Sequence, residues 1–135
     1  MPAETHTTRE PVSPDEVLAI VRAHLAFTRA LTAQPDLTTV QHRLLMAQVL
    51  EAVRALEDGV LTDIREGDVG AILGWGFAPW SGGPFAWADR TGAEAVARMA
   101  ETLAAAHGPR FAPPALLSDM AAKGESFYRR FARAA

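Results

Sequence analysis

Apolar residues recur along most of this chain at intervals of three and four, and no run alternates apolar with polar. That period puts them on one face of a helix, whereas a half-buried strand needs every second position. The first run carries Val17, Ile20, Val21, Leu25 and Leu31 between residues 14 and 33. It opens on Ser13-Pro14-Asp15-Glu16, with Ser13 as N-cap, Pro14 at the first helical position and Glu16 closing a capping box. Pro35 ends it. Asp36 to Thr39 offers a second cap, followed by the clearest period in the chain: Val40, Leu44, Leu45, Val49, Ala52, Val53 and Leu56. Arg43, Glu51, Arg54 and Glu57 hold mainly the other side, and Asp58-Gly59 closes the helix because Gly59 turns left-handed without strain.

Beyond Gly59 the elements shorten. The pattern predicts a short helix over 68–73, another opened by Pro84, and an Ala-rich helix over 93–106 with Val96, Met99 and Leu103 on one stripe. Gly108-Pro109 stops that helix. Pro113-Pro114 starts a further one through Leu116, Leu117 and Met120, ending at Gly124. Phe127, Tyr128 and Phe131 mark a last helix, where Arg129, Arg130 and Arg133 suit the negative C-terminal end of the helix dipole. The fold class that follows is all-α, with five to seven helices. Its predicted core is Leu44, Leu45, Val49, Val53, Leu56, Ile72, Leu73, Val96, Leu103 and Leu116.

One stretch does not fit a simple helical period. Gly74 to Gly92 reads GWGFAPWSGGPFAWADRTG and holds Trp75, Phe77, Trp80, Phe85 and Trp87, five of the ten aromatic residues. Rings interleaved with Gly and Pro are expected to lie mostly buried beneath a tightly turning backbone, in the core or at a protein–protein seam. The other reading makes the cluster one wall of an apolar substrate slot.

Composition narrows the partners. At 135 residues the chain suits one domain, with a disordered lead-in over 1–12, an extra N-terminal helix over 13–35 and the main domain over 36–135. The net charge of −3 and the scattered basic residues give no footprint for nucleic acid. Without cysteine there are no disulfides, thiolate nucleophiles or Cys-based zinc sites. No signal peptide and no membrane span is read, so the expected location is cytoplasmic.

Candidate chemistry is sparse. Gly74-Trp75-Gly76 invites a dinucleotide reading, but the third small residue is replaced by Pro79, and a helix rather than a strand precedes it. His6 falls in the lead-in and His107 precedes a helix-stopping Gly. Neither His24 nor His42 has a His, Asp or Glu at i+3 or i+4, so no metal pair forms. Ser81 lies in a turn with no neighbouring base, and Asp68 and Asp89 read as helix caps flanking the aromatic loop.

Several blocks nevertheless carry a resemblance. His42-Arg43-Leu44-Leu45, Glu51-Ala52, Glu57-Asp58-Gly59-Val60, Asp68-Val69-Gly70, Gly74-Trp75-Gly76-Phe77-Ala78-Pro79-Trp80, Gly82-Gly83-Pro84 and Asp89-Arg90-Thr91-Gly92 follow one another in this order. His107-Gly108-Pro109-Arg110-Phe111-Ala112-Pro113-Pro114-Ala115-Leu116-Leu117 and Gly124-Glu125-Ser126-Phe127-Tyr128 complete the series. Residues 38–128 thereby resemble the C-terminal helical domain of 3-hydroxyacyl-CoA dehydrogenases, and most closely the terminal copy in the multifunctional fatty-acid β-oxidation α-subunit. Residues 1–35 lie outside the resemblance.

The resemblance implies a fold like the C-terminal domain of 6-phosphogluconate dehydrogenase. In the family, NAD and the catalytic His–Glu pair belong to a preceding Rossmann domain. This chain is therefore expected to bind no cofactor itself, to meet NAD only through a partner domain, and to be inactive alone. The family's first helical copy supports the substrate carbonyl with an Asn in an Asn-Arg-Leu-Leu setting; here that place is held by His42. Substrate-side candidates are His42, Trp80, Gly83 and Pro84, with no catalytic and no metal-binding residue. The terminal copy resembles a packing partner, which implies a homodimer or a complex with a dehydrogenase-type chain, and acyl-CoA only within such a complex. Two functions follow. The chain is a non-catalytic module for dimerisation or docking in fatty-acid β-oxidation, or it is the substrate-side half of a split NAD-dependent 3-hydroxyacyl-CoA dehydrogenase.

Overall fold

A computed structural model describes residues 13–32 and 35–131. The expectations for the lead-in, His6, the Leu31 side chain and Arg133 fall outside the described residues. The chain divides at Asp36 into two compact units.

The first unit is helix α1, Pro14–Thr32. Its start follows from local chemistry: the Ser13 amide donates to Glu16 Oε2 at 2.8 Å and the Glu16 amide donates to Ser13 Oγ at 3.2 Å. This is the reciprocal capping box expected from the sequence, and the Ser13 amide and hydroxyl hold the Glu16 carboxyl below its ordinary range. Val17, Ile20, Val21 and Leu25 are exposed along the helix.

The second unit, from Leu37 onward, is built of six helices among the described residues: α2 (Leu37–Glu57), α3 (Ile64–Trp75), α4 (Pro84–Thr91), α5 (Ala93–His107), α6 (Ala115–Lys123) and α7 (Phe127–Phe131). Single 3-10 turns at Pro79–Ser81 and Pro109–Phe111 join them. No strand occurs among the described residues, and the all-α reading holds. Gly59 and Gly124 close α2 and α6 with positive φ, where the sequence placed them. The short helix expected over 68–73 is longer. It begins where Asp63 caps the Arg65 amide at 2.9 Å and runs to Trp75.

The core gathers Met46, Val49, Leu50 and Val53 of α2, Ile64 and Ala71 of α3, Phe85 and Ala88 of α4, Val96, Ala100 and Leu103 of α5, with Phe77, Phe111, Leu117, Met120 and Phe127. Val49, Val53, Val96 and Leu103 are buried as expected, while Leu45, Leu56, Ile72 and Leu116 are half-buried at its edge. Two expectations fail. Leu44 is 63% exposed and Leu73 is 80% exposed. Both sit on apolar stripes wider than the surface their helix buries, and the core takes the adjacent positions Met46, Leu50 and Ala71 instead.

The aromatic segment also divides. Phe77 and Phe85 are buried and Trp87 packs half-buried against the core, but Trp75 and Trp80 face solvent at 60% and 86% exposure, so three of the five rings meet the core and two do not. Close approach decides which enter. Gly67 lets α4 lie directly on α3, since a Cβ there would stand 2.5 Å from Leu61 Cδ2 and 2.8 Å from Phe85 Cε2. The Phe85 ring then meets Phe127 at 5.2 Å between centroids, in a tilted arrangement that aromatic pairs favour.

Candidate functional site

The segment from α3 to α4 is assembled by two helix ends, and the charge at each decides what it can hold. Gly74-Trp75-Gly76 forms the C-terminal end of α3. Gly76 takes a left-handed conformation at φ 77°, and the Phe77 amide closes back onto the Ala71 carbonyl at 3.1 Å. A helix C-terminus carries partial negative charge, so this glycine run repels a pyrophosphate rather than cradling it. The residues present do not fit a nicotinamide dinucleotide.

The N-terminus of α4 has the opposite polarity, and Asp68 already occupies it. From the middle of α3, Asp68 Oδ1 accepts from the Phe85 amide at 2.8 Å and Oδ2 accepts from the Ala86 amide at 3.1 Å. The Tyr128 hydroxyl donates to the same Oδ2 at 2.8 Å. Gly83, at φ 107°, passes so close that a Cβ would lie 2.4 Å from Asp68 Oδ1. Asp68 is buried, and burial raises its carboxyl above the ordinary aspartate range even though the Tyr128 hydroxyl and the two amides favour its charge. Burial and the Asp68 hydrogen bond push the Tyr128 hydroxyl up to about 12.

Asp89 repeats this device one helix later. Its carboxylate accepts from the Phe127 amide at 2.6 Å and the Tyr128 amide at 2.9 Å, and so caps α7. Glu57 Oε1, at the end of α2, accepts from the Leu116 amide at 2.7 Å inside α6. Asp68 and Asp89 are thus caps, as the sequence suggested, but for helices 17 and 38 residues away.

The four substrate-side candidates lie in two places. Gly83 and Pro84 are buried at the Asp68 cap, and Trp80 stands out from the adjoining 3-10 turn. His42 is half-buried on α2, and among the described residues no hydrogen bond to its ring is made. No three His, Asp or Glu side chains gather to hold a metal ion among the described residues. An apolar cleft of about 350 Å³ is lined by Ala47, Gln48, Glu51, Ala52 and Trp75, and none of the four candidates is among these walls.

Tyr128 and the triple role of Asp68 escaped the sequence reading. One signal was there: Asp68 shares a helix face with Ile64 and Ala71, at i+4 and i+7, and both of these are buried. A carboxylate on such a face needs several donors to be tolerated, which points to distant amides or hydroxyls.

Comparison with known proteins agrees with this architecture. The family of the 3-hydroxyacyl-CoA dehydrogenase, C-terminal domain, matches residues 40–130. The fatty acid oxidation complex subunit alpha of Shewanella amazonensis is 46% identical over 89 residues, covering 66% of this chain. The matched stretch spans 13% of that relative's length. No helix among the described residues is long and apolar enough to cross a membrane. The chain belongs to the 3-hydroxyacyl-CoA dehydrogenase C-terminal domain family.

Proposed function

We propose that this chain is a non-catalytic association module of fatty acid oxidation, which pairs with itself or docks on a dehydrogenase-type chain that carries the NAD-binding domain. The observation that carries this reading is the distribution of large apolar side chains. Leu44, Leu73 and Trp75 stay in solvent although the helices around them pack a complete core. Apolar surface kept outside a finished core marks a contact with another molecule. The polar side chains buried at the α3–α4 joint support it too, because the hydrogen bonds of the Asp68 carboxylate go to the Phe85 and Ala86 amides and the Tyr128 hydroxyl, which tie α3 to α4 and α7. Fatty acid oxidation comes from the relative's name, and in this reading the chain meets acyl-CoA and NAD only in a complex.

Sedimentation of the pure chain at tens of micromolar, alone and mixed with a Rossmann-bearing 3-hydroxyacyl-CoA dehydrogenase chain, tests the reading. A dimer alone or a stable mixed complex supports it, and a monomer in both cases overturns it. Turnover by the mixed complex that falls less than tenfold in His42→Ala keeps the chain non-catalytic. A larger loss, with folding intact, would reassign it as the substrate-side half of a split enzyme.

A further inference from the structure

We draw no further inference here: the strongest candidate, the exposed apolar face of α1 formed by Val17, Leu18, Ile20, Val21, Leu25 and Phe27 outside the residues that match the family, carries nothing because nothing in the structure shows what covers it.

Discussion

Asp68 and Val69 are neighbours in α3, and they belong to two regions built on different physics. Asp68 turns inward to the joint of α3, α4 and α7, where Phe85 and Phe127 are fully buried and each carboxylate oxygen has a donor. Val69 turns outward to the ridge it shares with Leu73, where apolar side chains meet solvent. The joint is over-determined: a charge, two rings and a glycine each depend on the placement of the others. The ridge depends on nothing inside the domain. The contrast separates side chains that hold the fold from side chains that the fold leaves in solvent.

The comparison breaks most severely at Phe85. Phe85→Ala empties the space between Gly67 and Phe127 and is expected to cost about 3–5 kcal/mol in chemical denaturation. Gly83→Ala comes next, at about 2–4 kcal/mol, because a side chain at φ 107° is strained and its Cβ displaces the Asp68 carboxylate from both amides. A thermal melt of Gly83→Ala equal to the wild type would show that the cap is dispensable.

Asp68→Asn sharpens the comparison through pH. The amide replaces an acceptor oxygen with a donor facing the Ala86 amide, at an expected cost of about 1–3 kcal/mol. Because the folded chain raises the Asp68 carboxyl above its ordinary 3.8, folding binds this proton more tightly. The stability so contributed is full below pH 3.8 and lost as pH rises through the folded value. The advantage of the wild type over Asp68→Asn is therefore widest in acid and narrows toward neutrality. Tyr128 reports the same joint at the alkaline end. It is the only tyrosine, so phenolate absorbance follows it alone, with a midpoint expected at about 12 that returns toward 10 in Asp68→Asn. The stability from its raised value is present below pH 10 and lost as pH approaches 12. An unchanged midpoint in the variant would detach Tyr128 from Asp68.

The smallest expected effects lie on the other side of the comparison. Leu44→Ala and Leu73→Ala should each change monomer stability by no more than about 0.5 kcal/mol, while Leu50→Ala, one helix face away, should cost about 2–5 kcal/mol. Similar losses at Leu44 and Leu50 would place Leu44 in the core after all.

Much of this architecture was legible in the chain because its signals are local. The capping box Ser13/Glu16, the left-handed stops at Gly59 and Gly124 and the three-and-four spacing each involve residues within one or two turns, so sequence alone determined an all-α chain and most helix limits. The blocks over residues 38–128 carried the resemblance to the family whose model matches residues 40–130. Two matters were left to the tertiary structure. An apolar stripe states which residues are able to be buried, but which of them are is set by the shape of the neighbouring helices, hence Met46 and Leu50 inside and Leu44 and Leu73 outside. And α4 and α6 open on Gly83 and Pro114, which offer no side-chain cap, so their amides are satisfied by Asp68 and Glu57 across 17 and 59 residues. Hydrogen-bond donors at a helix start must find acceptors somewhere, and where the local sequence provides none, only the folded arrangement of distant carboxylates can.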